Sequence, residues 1–223
     1  MRDERGTTMI ELLVSISATL IVMMGVVTLT TTVLHHQDRI NRRLDANSRG
    51  RPVMTRMVQG LHSACVTSHI VPIRTGSTGT SITFLSKSGS AVGPIPDLHT
   101  ISMSGSTLRE AVFPATGGTA PTWTFSGTPA SNRELLTNVA APGGVIFRYY
   151  DFVSGGLSTT PLPTPLSDTN AARVSYVTIA FTVSPSAGVS SQDLGSPMML
   201  NSGVDLRLEN AGQYPNQDNL PCI

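Results

Sequence analysis

Gly6-Thr7-Thr8-Met9-Ile10-Glu11-Leu12-Leu13-Val14-Ser15 opens an apolar run that lasts to Leu34, with no charged side chain over residues 12–34. At about 1.5 Å per residue a helix over that run is roughly 35 Å long, enough to cross a hydrocarbon core of about 30 Å. One carboxylate, Glu11, stands at its head. An ionised acid is costly at that depth, which marks Glu11 as a candidate functional residue. The run is longer than the apolar region of a secretory signal peptide, and no clean small-x-small cleavage site follows it.

Outward from this run, residues 1–6 form a short charged leader. On the other side, residues 35–65 keep a helical rhythm: Ile40, Leu44, Met54, Met57, Val58 and Leu61 fall largely on one stripe, with Arg39, Arg42, Arg43 and Arg56 mostly elsewhere. Asn47, Ser48, Gly50 and Pro52 interrupt it. Proline removes a helical hydrogen bond and crowds the preceding turn, so a kink or short break is expected over residues 48–52. The organisation read here is a leader at 1–6, a membrane-spanning helix at 7–34, an amphipathic continuation at 35–65 and a β-rich head at 66–223.

The period changes after residue 68. Ser81-Ile-Thr-Phe-Leu-Ser86 reads as a strand with Ile82 and Phe84 on one face. Two further strands flank Ser104-Gly105-Ser106, a hairpin signal because glycine tolerates the positive φ of such turns. Residues 115–131 are rich in Gly, Pro, Thr and Ser and read as an insertion or long loop, with Trp123 covering core surface. Val145-Ile-Phe-Arg-Tyr-Tyr-Asp151 is another strand, followed by a loop broken at Pro161, Pro163 and Pro165. The strongest strand lies over residues 173–183, where Val177, Ile179, Phe181 and Val183 alternate; Val204-Asp-Leu-Arg-Leu208 alternates as well. The fold class is α+β, a long N-terminal helix packed on a small antiparallel sheet domain.

With 223 residues the chain fits one domain plus a membrane element. Formal net charge is +1 and Lys87 is the only lysine, so no general nucleic-acid-binding surface is indicated. Cys65 and Cys222 are the two cysteines; in an extracytoplasmic protein such a pair reads as a disulfide tying the chain end to the end of the first helix, and two free thiols are the alternative.

The segment from Arg5 to Ser15 closely resembles the processing site of type IV prepilins and pseudopilins. In that family a membrane peptidase cuts after the glycine, the new amino terminus is methylated, and the fifth mature residue is glutamate. Gly6 and Glu11 match both requirements; the first mature residue would be Thr7, where the family usually has Phe or Met. The order of the later pieces is similar to minor pilins of the J type, from secretion pseudopili or from pili. The resemblance implies a structural subunit that primes or caps a fibre. Its partners would be a prepilin peptidase, other major and minor pilins, an assembly platform with its ATPase, and membrane lipid before assembly. It further implies a single-pass protein of the cytoplasmic membrane with the head extracytoplasmic. A membrane-anchored binding domain that never enters a fibre, and a DNA-uptake pilin, share much of this pattern and stay open.

Charge counting points the other way on topology. Arg2 and Arg5 precede the span, while Arg39, Arg42, Arg43, Arg49 and Arg51 follow it, which by the positive-inside rule places the head in the cytoplasm. The Gly6/Glu11 spacing is the more specific signal. No enzymatic constellation emerges: there is no phosphate-binding loop, no dinucleotide-binding glycine triplet opening a helix and no nucleophile elbow. No cofactor or metal is expected. His62, Cys65 and His69 lack a fourth zinc ligand. Asn216, Asp218 and Asn219 lack calcium-loop spacing and read as a polar turn. The arginines after the span suit lipid headgroups or neighbouring subunits better than DNA.

Overall fold

A computed structural model describes residues 8–65, 70–86, 95–119, 122–153, 156–185 and 197–206, the side chains of residues 38 and 39 excepted. Helix α1 runs without interruption over Met9–His62. Chain contacts divide the molecule into two units, Met1–Leu44 and Asp45–Ile223, and α1 contributes to both.

In the first unit α1 begins with Glu11 N and Leu12 N donating to Thr8 O, at 3.0 and 3.2 Å. Glu11 in the first turn complements the positive end of the helix. Gly25 is the only glycine, and no proline occurs, between Met9 and Leu44, so the backbone ladder meets no breaker.

In the second unit α1 buries Ala46, Gly50, Val53, Met54, Met57 and Leu61, a stripe at spacings of three and four residues. The break expected over residues 48–52 is absent, although Pro52 lies inside the helix. Pro52 forfeits one backbone bond, but neighbouring groups hold the turn. Arg49 Nε bonds Asp45 Oδ2 at 3.2 Å, and Arg49 Nη2 reaches Ser184 O at 2.9 Å. Burial of the flanking stripe outweighs the local loss.

Among the described residues twelve strands follow: β1 Ser81–Ser86, β2 Asp97–Ser104, β3 Thr107–Phe113, β4 Ala115–Gly117, β5 Thr124–Phe125, β6 Ser131–Leu136, β7 Val139–Ala140, β8 Phe147–Tyr150, β9 Phe152–Val153, β10 Gly156–Leu157, β11 Tyr176–Val183 and β12 Met198–Asp205. Eight of them form two four-stranded antiparallel sheets, and β4–β5 and β9–β10 pair separately as two-stranded ribbons. One has the order β1-β2-β3-β6; in the other β11 pairs β12 on one edge and both β7 and β8 on the opposite edge. The β2–β3 hairpin turns at Gly105, whose φ of 59° is the left-handed conformation glycine accepts. A one-turn helix, α2 Asp168–Ala171, is capped by the Ser167 hydroxyl, which accepts from Asn170 N at 3.2 Å.

Met57 and Leu61 of α1, Ile82, Phe84, Ile101 and Leu108 of the first sheet, and Tyr149, Val177, Ile179, Phe181 and Val183 of the second belong to one apolar core. The two sheets are tied where Gly79 O accepts from Ile146 N and Phe147 N at 2.7 and 2.9 Å, and where Tyr149 Oη donates to Thr78 O at 2.9 Å. Burial pushes the Tyr149 phenol well above its ordinary range, so it stays a neutral donor.

Several expectations change. Residues 115–131 are not a plain loop, because β4 and β5 pair and bring Trp123 over Cys65, Ile70 and Leu85. Strands β6 and β7 were not legible in the sequence. The last strand starts at Met198, earlier than the alternation around Val204 implied, and its described part ends at Asp205. Ile40 and Leu44 belong to the first unit and are exposed, so the stripe of the head begins at Ala46 instead.

Candidate assembly and membrane surface

Residues 9–34 of α1 expose every side chain, among them Met9, Ile10, Leu20, Ile21 and Met24. A continuous exposed apolar surface of this size is of the kind that marks contact with lipid or protein. The helix is long and apolar enough to cross a membrane.

Polar side chains inside the run are already satisfied. All seven hydroxyls donate back to carbonyls three or four residues earlier. Ser15 reaches Leu12 O at 2.9 Å, Ser17 reaches Leu13 O at 2.8 Å and Thr19 reaches Ser15 O at 2.7 Å. Thr28 bonds Met24 O and Thr30 bonds Val26 O, while Thr31 and Thr32 both use Thr28 O. No hydroxyl needs water, so these turns fit an apolar medium. Glu11 is the one charged side chain over residues 9–34, and it is exposed. Glu11, Ala18 and Gly25 recur at intervals of seven on one side of the helix, and a Cβ at Gly25 would meet nothing within 4 Å. Small residues beneath the carboxylate let another helix approach closely. On the same stretch Ile10, Leu13, Val14, Ser17, Ala18 and Ile21 line an open, mostly apolar depression.

Gly6 and Thr7 lie outside the described residues. Cys65 is buried and disulfide-bonded, packed with Ile70, Leu85 and Trp123; Cys222 lies outside the described residues. Disulfide formation removes the Cys65 thiolate from any metal set with His62; His69, Asn216, Asp218 and Asn219 also lie outside them.

Sequence reasoning missed a buried ionic cluster in the head. Glu110 on β3, 6 % exposed, accepts from Arg56 of α1, Arg133 of β6 and His99 of β2. His99 Nδ1 lies 3.3 Å from one carboxylate oxygen, and both arginines use the other. The His99 bond and the guanidinium groups overcome burial and hold the Glu110 carboxyl down at about 2. His99 also stacks on Phe84, with ring centroids 5.5 Å apart. A second pair joins Arg173 to the buried Asp151. These charges are consumed in holding elements together. A cleft of about 330 Å³ between Val71, Arg74 and Asp168 contains an acid and a hydroxyl, Thr75, already bonded to each other. Among the described residues no group of three metal-ligating side chains occurs.

Comparison with known proteins finds no family model that matches the chain and no curated protein of similar sequence.

Proposed function

We propose that the chain is a minor pilin or pseudopilin, a structural subunit that rests in the cytoplasmic membrane and then joins a helical fibre. The observation that carries this reading is the apolar stretch of α1 over residues 9–34, exposed throughout, its hydroxyls satisfied internally, with one carboxylate in the first turn. The spacing of Gly6 and Glu11 adds a reason for the carboxylate: cleavage after Gly6 creates an amine at Thr7 that needs an anion nearby in an apolar setting. The Glu11 of a subunit already in place accepts the Thr7 amine of the next. Movement would be driven by a partner ATPase.

A membrane-anchored binding domain uses the same helix but gives Glu11 no task. Mass spectrometry of the protein from cells carrying a prepilin peptidase decides between them at the first step. A first residue of Thr7, methylated or not, is the expected result; an intact residue Met1 overturns the processing and the fibre reading with it.

A further inference from the structure

We infer that the two turns of α1 after the apolar run, residues 35–43, form a cationic collar that binds the surface of an anionic phospholipid bilayer. The inference rests on the membrane-spanning reading of residues 7–34. The sequence places Arg39, Arg42 and Arg43 against a single acid, Asp38, in these turns, directly after His35 and His36. Residues 35, 39, 42 and 43 are four, three and one apart, which on a helix is one side rather than a ring. Arg43 and both histidines are exposed, and Arg42 is half-exposed.

Distance and direction favour the bilayer. Arg42 lies eight residues beyond Leu34, roughly 12 Å along the helix. The headgroup layer occupies about 5–7 Å of that distance on each side of the hydrocarbon. The Cα–Cβ bonds of a helix tilt toward its N-terminus, so the exposed Arg43 starts out toward the apolar run, and its long side chain can bring the guanidinium nearer the surface. The charges then fall within the screening length of about 8–10 Å, close enough to feel an anionic surface. A guanidinium fork matches a phosphodiester oxygen pair, which gives contact as well as attraction.

Spin-labelled lipids test this on the full chain reconstituted into vesicles of phosphatidylcholine and phosphatidylglycerol. The fraction of labelled phosphatidylcholine immobilised against protein reports whether the helix lies in the bilayer at all. Wild type is expected to immobilise labelled phosphatidylglycerol at least about twofold in preference to phosphatidylcholine. The preference should fall to parity in Arg39→Gln/Arg42→Gln/Arg43→Gln, be weakened in Arg43→Gln alone, and fade in about 1 M salt, where screening shortens to about 3 Å. Unchanged Trp123 emission shows that the variant head is folded. Immobilised lipid without anionic preference in wild type, or equal preference in the triple variant, overturns the collar and leaves the span standing. No immobilised lipid of either kind overturns both.

Discussion

Arg56 on α1 donates Nε and Nη2 to the same oxygen of Glu110 on β3, at 3.0 and 2.8 Å, and so clamps the helix to the first sheet through a single carboxylate. Arg133 of the neighbouring strand shares that oxygen at 3.0 Å. The clamp is a buried anion among cations, and its stabilising effect depends on the anion staying ionised.

The pH dependence follows from that carboxyl. Glu110 is lowered from 4.5 to about 2 in the folded head, so its stabilisation is complete above about pH 4.5 and is lost as pH falls toward 2. Arg56 and Arg133 are half-exposed, which limits the loss to about 1–3 kcal/mol. Thermal melts of the full chain in detergent, followed by Trp123 fluorescence, should show the midpoint falling through that window. Glu110→Gln should melt lower at neutral pH and show a flatter acid limb. A Glu110→Gln midpoint that drops with acid as steeply as wild type would remove the clamp as the cause.

Gly50 is where α1 meets the second sheet. A Cβ there would run into the Leu200 side chain and lie 3.0 Å from Val183 Cγ2. Gly50→Val is expected to destabilise the head by about 1–3 kcal/mol through overpacking. The same substitution at Gly25, where nothing stands within 4 Å, should leave the melting of the head unchanged. Similar losses at both positions would show that helix propensity, not the Leu200 contact, sets the effect.

Reduction of the disulfide at Cys65 should lower stability by about 2–5 kcal/mol. Cys65 is fully buried, so reduction of native protein should be slow and should accelerate once the head unfolds. Non-reducing peptide mapping should find the Cys65 peptide joined to the one carrying Cys222, the only other cysteine of the sequence. Rapid reduction of native protein, or two unlinked peptides, would contradict this.

Glu11→Ala separates a fibre subunit from an anchor. Membrane insertion and cleavage after Gly6 should persist, because neither uses the carboxylate in the proposed scheme. Opposite charges about 4 Å apart attract by roughly 4 kcal/mol at an effective dielectric near 20, before desolvation is subtracted. Recovery of partner pilins and the number of fibres should therefore drop. Equal recovery and equal fibre counts would favour the anchor.

Sequence alone carried the elements whose burial alternates. Val177, Ile179, Phe181 and Val183 are all fully buried, as their period of two required, and Gly105 sits at the predicted hairpin. Strand β6 escaped notice because it is an edge strand that buries only Leu136; Ser131, Asn132, Arg133 and Glu134 carry no alternation. The local cost of Pro52 is legible in sequence, but the packing of Ala46, Met54 and Met57 on either side, which outweighs it, is not. Arg56, His99, Glu110 and Arg133 are far apart in sequence, and nothing in their spacing signals that strand register brings them together. The apolar run and Glu11 needed no tertiary information, which is why that end of the candidate surface was legible first.

The back-bonded hydroxyls of Ser15, Ser17, Thr19, Thr28, Thr30, Thr31 and Thr32 bear on how such a helix travels. A hydroxyl held by its own backbone keeps the same partner whether hydrocarbon tails or leucines surround it. Sideways passage of this span from one oily neighbour to another therefore breaks no hydrogen bond along its length. On the fibre reading proposed above, what opposes such a passage lies at the first turn, with the Glu11 carboxylate.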